Sequence, residues 1–252
     1  MEISGDIKFF KDCYSIYIKS LASIVMSDLH LGYEGVAAKN GIFLPKLNLK
    51  YIFEQIESIA NNVGKSKIRR IIVVGDVKNE FDDVDDSEID ELFSFVNYLR
   101  NELFDKDLEI ILIKGNHDNY VDAYAKELKL TLYRQEAMLA KYLFFHGEEM
   151  PTRELLNKAN FLITAHEHPA ITVFTEIGTR MKVKCFLYGI HEKKEVLVLP
   201  ALCYYASGTE INLIPKEELL SPFLKSIDVD ELIPISVEGD ILVFPKIKDL
   251  RI

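Results

Sequence analysis

Five hydrophobic segments of this chain end abruptly in histidine, aspartate or asparagine. Their aliphatic runs are nearly continuous, which is typical of strands buried on both faces of a sheet. Three of the runs span residues 24–26, 71–74 and 110–113, and the others precede the histidines in MLAKYLFFHGEE and ANFLITAHEHPA. Because loops at the carboxyl ends of strands are held by a rigid sheet, the pattern predicts polar groups gathered at one rim of a sheet in an α/β fold.

The polar side chains that follow these strands form one set. They are Asp28, His30, Asp76, Asn116, His117, His146, His166 and His168. Any one of them alone is most simply a turn residue or a helix cap. Chance is a poor account of the set, because five of the six histidines in the chain fall at strand ends. The sixth, His191 in GIHEKKE, is predicted to be a solvated loop residue.

This mixture of donors predicts a metal centre. Carboxylate, amide carbonyl and imidazole are the ligands of Mn, Fe, Co, Ni or Zn, whereas Mg or Ca favours oxygen almost throughout and structural zinc favours thiolates. The set is too large for a single ion. Two ions roughly 3.5–4 Å apart need a bridging carboxylate, and that arrangement serves displacement at phosphorus.

The motifs Asp-X-His, Gly-Asp, Gly-Asn-His-Asp, His-Gly and His-X-His resemble the signature of the calcineurin-like metallophosphoesterase superfamily. The matching stretches spread from residue 28 to residue 168, and Ala165 stands where the family usually has glycine. The resemblance implies the family's four-layer α/β/β/α sandwich, with two mixed β-sheets flanked by helices.

The resemblance also assigns ligands by position. One metal is bound by Asp28, His30 and His168, the other by Asn116, His146 and His166, and Asp76 bridges both. Manganese is the ion we expect, with Fe, Co, Ni or Zn as alternatives.

Two further positions receive catalytic roles from the resemblance. His117 is expected over the substrate, where it stabilises charge on the phosphoryl oxygens or protonates the leaving oxygen as a general acid. Asp118 either orients the imidazole of His117 or caps a helix beginning near Tyr120, and the sequence leaves both open.

The predicted mechanism follows from electrostatics. A water shared by two divalent ions loses its proton near neutral pH, and the resulting hydroxide attacks phosphorus without a covalent phospho-enzyme. Cys13, Cys185 and Cys203 lack metal or redox spacing, so we expect them to be small buried hydrophobes.

Residues between the ligands resemble the helicase- and ligase-associated branch of these phosphoesterases. The resembling stretches are SDLHLGYE, GDVKNEF, HEHPAI and VLPALCYYASGTEIN, with Asn79 where a histidine is expected. The resemblance implies a manganese-dependent phosphodiesterase or nuclease acting on DNA or nucleotides, with a helicase or ligase as partner. The alternatives are a phosphomonoesterase of small molecules or phosphoproteins and, less favoured because His117 is present, a non-catalytic scaffold.

Composition limits these hypotheses. The net charge of −10 argues against a broad nucleic-acid-binding surface, since such affinity comes largely from Lys and Arg. The absence of any apolar run of ~18 residues argues against a membrane span. The first residues, MEISGDIKFF, lack the pattern of a secretory signal, so a cytoplasmic location is expected. The oligomeric state stays open.

Several residues beside the ligand motifs have competing interpretations. Asp82, Asp83, Asp85 and Asp86 could bind cations, but the apolar spacing after Ser87 favours the start of an amphipathic helix. The rings of Tyr33, Phe81 and Tyr120 could stack on a base or pack under a loop. Lys78 and Arg153 are the cations best placed to meet a phosphodiester, or are solvated surface.

The remaining pattern predicts one domain over residues 1–252. Helical spacing in LPKLNLKYIFEQIESIANNV and SEIDELFSFVNYLRNELF predicts βαβ units and a largely parallel first sheet. After residue 168, the runs AITVFTE, RMKVKCFLYGI, KEVLVLPAL and EINLI predict a second, more antiparallel sheet. Residues 213–252 are predicted to form a C-terminal extension, whose role the sequence does not indicate.

Overall fold

The computed structural model describes residues 1–174 and 178–251. Two large mixed sheets pack face to face, with helices on their outer sides. The four-layer α/β/β/α prediction is therefore confirmed.

The first sheet follows chain order. Its strands are β1 (Glu2–Ile3), β2 (Ile7–Phe10), β3 (Cys13–Ile18), β4 (Ser23–Met26), β5 (Arg70–Val74), β6 (Glu109–Ile113) and β7 (Thr131–Tyr133). Pairs from β1 to β4 are antiparallel and pairs from β4 to β7 are parallel. The prediction of a largely parallel sheet missed the N-terminal antiparallel strands.

The second sheet has the order β17-β16-β13-β14-β10-β9-β8. Its strands are β8 (Glu136–Leu139), β9 (Tyr142–Phe145), β10 (Phe161–Thr164), β13 (Phe186–His191), β14 (Lys194–Val198), β16 (Ile233–Ser236) and β17 (Leu242–Val243). A small sheet joins β11 (Pro169–Phe174), β12 (Arg180–Lys184) and β15 (Thr209–Glu210).

The β-strands after residue 135 differ from the sequence prediction in several ways. The second sheet begins before residue 168, and its central pairs β9–β10 and β10–β14 are parallel. MLAKYLFF is an antiparallel hairpin rather than one strand, and RMKVKCFLYGI is divided at Cys185 between two sheets. EINLI contributes only the end of β15. The last two residues of AITVFTE, Thr175 and Glu176, lie outside the described residues.

The α-helices are short except for two that cross between parallel strands. They are α1 (Tyr33–Lys39), α2 (Asn48–Val63), α3 (Asp86–Asn97), α4 (Asp122–Ala125), α5 (Arg153–Lys158), α6 (Pro222–Ser226) and α7 (Ile247–Leu250). A π-helical turn, Tyr98–Leu103, continues α3, and 3-10 turns occupy Lys65–Lys67, Lys216–Glu218 and Val229–Glu231. Helices α2 and α3 confirm the two predicted crossovers.

The acidic loop is a helix start, as predicted. Asp85 is the N-cap of α3 and accepts from the backbone N–H of Ser87 at 2.7 Å, while Glu88 accepts from the backbone N–H of Asp85 at 2.8 Å. This reciprocal capping box satisfies N–H groups that a helix start leaves unpaired.

Two hydrophobic cores separate the layers. The first lies between the sheets and under α2 and α3, where Phe9 of the first sheet meets Phe186 of the second edge to face at 4.9 Å. The second lies under the outer face of the second sheet and includes Phe223, Leu224 and Ile247. The three cysteines are buried free thiols, which confirms their prediction as small hydrophobes.

The predicted extension, residues 213–252, completes this second core. Its strand β16 pairs antiparallel with β13, and β17 pairs with β16 at the edge of the sheet. Ile252 lies outside the described residues. His191, predicted to be a loop residue, is instead the half-buried last residue of β13 and pairs with Lys194. Across the described ranges, none of the helices combines the length and hydropathy that crossing a membrane requires.

Candidate metal centre

Six of the seven predicted ligands come together where the two sheets meet, and the seventh, Asn116, lies in the loop after β6. Asp28, Asp76 and Asn116 follow β4, β5 and β6 of the first sheet, whereas the three histidines at 146, 166 and 168 follow β9 and β10 of the second. The prediction of a single rim is therefore corrected. The carboxyl ends of strands from both sheets converge, because the sheets are packed face to face.

The backbone bends sharply at most of these positions. Five of the predicted ligands have positive φ angles, namely Asp28 at 51°, His30 at 45°, Asp76 at 50°, His166 at 68° and His168 at 49°. The left-handed conformation costs a residue with a side chain roughly 1–2 kcal/mol. Such strain persists only where the surrounding structure imposes it, and it is concentrated here at the strand ends.

Two glycines make room for the ligands. A Cβ on Gly75, whose φ is +80°, would overlap Nδ1 of His146. A Cβ on Gly115 would overlap Oδ1 of Asp76. The glycines of the Gly-Asp and Gly-Asn motifs therefore let neighbouring ligands approach the backbone.

Two overlapping groups of donors could each hold an ion. One is Asp28, His30, Asp76 and His168, and the other is Asp76, His146 and His166, with the donor atoms of each group within 4.8 Å of one another. Asp76 belongs to both. Its Oδ2 lies 3.2 Å from Nε2 of His146, while Oδ1 of Asp28 lies 3.2 Å from Nε2 of His168.

Several metal-binding atoms near this centre are buried and have no hydrogen-bond partner among the described residues. They are Oδ2 of Asp28, Nδ1 of His30 and Oδ1 of Asn116. Leaving such atoms unsatisfied costs about 1–3 kcal/mol each, and more for a charged group. Their oxygen and imidazole chemistry suits a divalent transition metal, so the residues present fit the ions that the two groups imply.

Burial and mutual charge set the protonation of the imidazoles. Burial lowers the pKa of His30 to about 4, and burial together with the charge on His146 lowers the pKa of His166 to about 4. Both are therefore neutral at pH 7, as metal ligands must be. For His146 burial also acts to lower the pKa, but the carboxylate of Asp76 outweighs it and raises the pKa to about 10. In the metal-free protein His146 consequently carries a proton that an ion would displace.

His117 lies at the edge of this cluster. Its side chain is 27% exposed, its Nε2 is 4.0 Å from Oδ2 of Asp76, and its ring meets that of His30 edge to face at 5.2 Å. Nδ1 is 2.6 Å from the carbonyl oxygen of Asn79. Nδ1 donates a hydrogen bond to that carbonyl, which fixes the orientation of the ring and leaves Nε2 on the side of Asp76.

Asp118 neither orients the imidazole of His117 nor caps a helix, which were the two roles predicted for it. Its Oδ1 accepts from the backbone N–H of Val77 and its Oδ2 from that of Gly115, both at 2.8 Å. Helix α4 begins at Asp122 without a side-chain cap, and the carbonyl of Asn79 is what contacts the ring of His117. Asp118 instead ties the Gly-Asn-His-Asp loop to the Gly-Asp loop. Burial and the nearby charge of Asp76 raise its pKa to about 7.

The predicted substrate cations are not both available. Lys78 is 1% exposed, and its ammonium donates to the carbonyl oxygens of Glu80 and Asp83. It therefore holds the loop before α3 and does not meet substrate. Arg153 is exposed at the start of α5, as either interpretation allowed.

The aromatic residues beside the motifs differ in their exposure and ring contacts. Phe81 is 46% exposed and meets the ring of His117 edge to face at 5.5 Å, and Tyr120 is also exposed. Tyr33 is half-buried and stacks on Tyr205 at 5.2 Å with an interplanar angle of 12°.

One residue that positions the site, Asn48, was not predicted from the sequence. Asn48, the first residue of α2, is fully buried, and its Nδ2 donates to the carbonyl oxygens of Leu29 at 2.9 Å and His30 at 3.0 Å. Its Oδ1 accepts from the backbone N–H of Tyr204 at 2.9 Å. An asparagine at a helix start usually acts as a cap, so the sequence carried no distinct signal for this role.

Comparison with known proteins decides the family. The family model described as calcineurin-like phosphoesterase matches residues 23–199, which include every candidate ligand. The chain belongs to this family. This phosphoesterase is therefore a hydrolase that acts on phosphoester bonds.

Solved structures share the fold. A nuclease MPE from Pseudomonas putida is 17% identical, with a TM-score of 0.64 over 97% of this chain and 98% of that one. A predicted phosphoesterase from Streptococcus pneumoniae is 15% identical over 71% of each chain, with a lower TM-score of 0.29. Among curated protein sequences, no match to this chain is found.

Proposed function

We propose that this phosphoesterase is a two-metal phosphodiesterase that cleaves nucleic acid or nucleotides. The observation that supports it best is the position of Asp76, which is shared by two groups of buried donors. A carboxylate shared by two groups is what a pair of ions acting on one phosphate requires. The Pseudomonas putida protein that shares the fold over almost the whole of both chains is a nuclease, which favours a diester substrate.

In this proposal the ligands are those that the sequence predicted. One ion would be held by Asp28, His30 and His168 and the other by Asn116, His146 and His166, with Asp76 serving both. Manganese is the proposed ion. When bound, two such ions supply a nucleophilic water of lowered pKa and neutralise the oxygens of the substrate phosphate.

The chain's own residues act on the substrate in one further way. The carbonyl oxygen of Asn79 accepts a hydrogen bond from Nδ1 of His117 and fixes the ring beside the candidate metal centre. Because Nδ1 already carries a proton, Nε2 carries a second one only in the imidazolium form, and in that form it can donate a hydrogen bond to a phosphoryl oxygen or a proton to the leaving oxygen. Asp118 contributes by positioning the loop that carries Asn116 and His117.

The deciding experiment compares a diester with a monoester. The protein is stripped with chelator, refilled with manganese and assayed on bis-p-nitrophenyl phosphate and on p-nitrophenyl phosphate. We expect kcat/KM to be higher for the diester by a factor on the order of ten or more, about 1.4 kcal/mol in transition-state stabilisation. The reverse preference would establish the alternative, a phosphomonoesterase of small molecules or phosphoproteins, and the chelated protein is the blank for both substrates.

Association with a helicase or ligase, and a cytoplasmic location, stay predictions. Pull-down of the full chain with a candidate helicase or ligase tests the first, and microscopy of the tagged protein tests the second.

A further inference from the structure

We infer that an aromatic cleft beside the metal centre binds an unpaired nucleobase of a single-stranded nucleic acid, with Tyr204 as the stacking residue. The cleft has a volume of about 300 Å³ and is lined mainly by Tyr14, Tyr51, Tyr204, Tyr205, Lys182 and Lys184. The inference rests on the proposed function and extends it, because it selects single-stranded over double-stranded substrates.

The cleft is attached directly to the ligand-bearing loops. On one side, the backbone N–H of Cys203 donates to the carbonyl oxygen of Asp28 at 3.0 Å. On the other, the backbone N–H of Thr209 donates to the carbonyl oxygen of His168 at 2.8 Å. The segment 203–209, which carries Tyr204 and Tyr205, therefore spans two candidate ligands of one ion. A nucleotide whose phosphate lies at that ion would find the cleft next to it.

The tyrosines form a braced aromatic wall. Tyr204 meets Tyr51 edge to face at 5.4 Å and Tyr205 at 5.1 Å, and Tyr205 stacks on Tyr33 at 5.2 Å. The hydroxyl of Tyr205 also donates to the carbonyl oxygen of Pro45. Tyr204 nonetheless remains 48% exposed. The ring of Tyr204 is packed against other tyrosines on one side and exposed on the other, so it loses little conformational freedom when a base stacks on it.

Two lysines supply positive charge on one side of this wall. They are two residues apart on β12, so their side chains leave the same face of the strand. The ammonium of Lys184 lies 5.3 Å from the centre of the Tyr14 ring and donates to the carbonyl oxygens of Ala201 and Cys203. The ammonium of Lys182 donates to the hydroxyl of Ser207 at 3.4 Å and to the carbonyl of Gly208. Lys182 is exposed and its partners are neutral oxygens, so its charge is available to a phosphate, whereas the more buried Lys184 holds the backbone just before Tyr204.

This combination favours a nucleobase over an acidic peptide. An acidic peptide would be recognised by charge alone, whereas four of the nine lining residues are tyrosines, and Glu238 in the lining opposes extra negative charge. A base attached to one phosphodiester satisfies both features by stacking on the wall with its phosphate on the lysine side. Bases in a duplex are already paired and stacked, so the cleft selects single strands. It also reconciles nucleic-acid binding with a net charge of −10, since few phosphates need be neutralised.

The test measures binding without catalysis. Fluorescence anisotropy of a short labelled single-stranded DNA is recorded with the full-length, metal-free protein in chelator. We expect Tyr204→Leu to weaken binding about tenfold and Tyr204→Phe, which keeps the ring, to bind within about twofold of wild type. Phe174→Leu is the matched control, because Phe174 is an exposed aromatic residue outside the cleft.

Two ligand variations need no mutant. An abasic strand of the same length should bind the wild-type protein about tenfold more weakly than the ordinary strand, and a duplex of the same sequence should bind more weakly still. The salt dependence should be shallow, with a slope of magnitude about 1 on logarithmic axes, because about one lysine meets phosphate.

The inference is overturned by equal binding of the ordinary and abasic strands, by equal or tighter binding of duplex, or by a loss confined to Phe174→Leu. Failure of the proposed function looks different. It would appear as a lack of bis-p-nitrophenyl phosphate hydrolysis by the manganese-loaded wild type, and the metal-free binding result would stand regardless.

Discussion

Oδ2 of Asp76 lies 3.2 Å from Nε2 of His146, and this contact joins the first sheet to the second at the candidate metal centre. The backbone N–H of His117 donates to the other oxygen of the same carboxylate at 3.0 Å. One side chain thus contacts a ligand of the second sheet and the loop that carries the proposed acid. Its removal should disturb both metal binding and chemistry.

We expect Asp76→Asn to abolish turnover and to reduce the bound metal from about two ions per chain to less than one, because an amide cannot bridge two cations as a carboxylate does. Metal analysis after dialysis and the hydrolysis of bis-p-nitrophenyl phosphate measure the two effects. Asp82→Asn is the control, since Asp82 is exposed in the acidic loop. Full occupancy in Asp76→Asn would show that the carboxylate does not bridge.

His117→Asn should separate chemistry from metal binding. His117 lies outside both groups of donors, so the variant should retain its ions while kcat falls roughly 10²–10⁴-fold, which is the usual contribution of an acid catalyst. Metal content and steady-state kinetics are measured on the same preparation. Unchanged kcat would remove His117 from the mechanism.

Gly75→Ala should damage the site more than its backbone strain explains. The new Cβ would meet the ring of His146, which has a hydrogen bond to the carbonyl of Val74 at 3.1 Å and little room to move. Gly239→Ala is matched in backbone angle, with φ at +70° and nothing within 4 Å of the added Cβ. We expect about 1–2 kcal/mol of lost stability in the control and at least that again in Gly75→Ala, with weaker manganese binding only in the latter. Urea unfolding and manganese titration test this, and equal behaviour of the two variants would contradict it.

Metal should stabilise the fold measurably. An ion present at about 100 times its dissociation constant adds about 2.7 kcal/mol, which for a chain of this size corresponds to roughly 5–10 °C in Tm. The gain arises because buried donors such as the Asp28 carboxylate acquire a partner. Thermal unfolding with and without manganese measures it, and Asp76→Asn should show a much smaller shift. Equal shifts in both proteins would mean that the ions bind elsewhere.

The lowered pKa of Lys184 predicts that the stability of the protein depends on pH. Burial lowers its pKa to about 8, below that of a lysine in the unfolded chain, so from about pH 8 to about pH 10 the unfolded chain binds more protons. The stability of the wild type relative to Lys184→Met should therefore rise with pH across this window, by up to about 1.4 kcal/mol per pH unit. The tyrosines of the cleft are present in both proteins, so their contribution to the pH dependence largely cancels in the difference between the two stabilities. Urea unfolding at several pH values across the window measures the difference, and a flat result would contradict the prediction.

The sequence predicted the site better than the architecture around it. Continuous aliphatic runs followed by polar residues mark strand ends, and the structure brings those polar residues together. Whether they came from one sheet or two was not encoded locally, because that depends on how the faces of the sheets pack. The antiparallel strands before residue 20 were missed for a similar reason, since their pattern is short and irregular.

The environments of individual side chains were harder to predict from the sequence than the ends of strands. Lys78 follows the Gly-Asp motif and looked available to a phosphate, but the capped start of α3 surrounds it with carbonyl oxygens. Asp118 sits beside His117 in sequence, yet its carboxylate turns toward backbone N–H groups of two loops. Both outcomes depend on long-range contacts that neighbouring residues in the sequence do not specify.

The division of ligands between the two sheets has a consequence for biosynthesis. Asp28, His30, Asp76 and Asn116 all precede β8, whereas the last three histidines arrive only with β9 and β10. A growing polypeptide that has assembled only its first sheet holds an incomplete set of donors for either ion. With the proposed ligands, tight metal binding requires both layers to have docked, so we expect a chain that has folded only its first sheet to lack hydrolase activity.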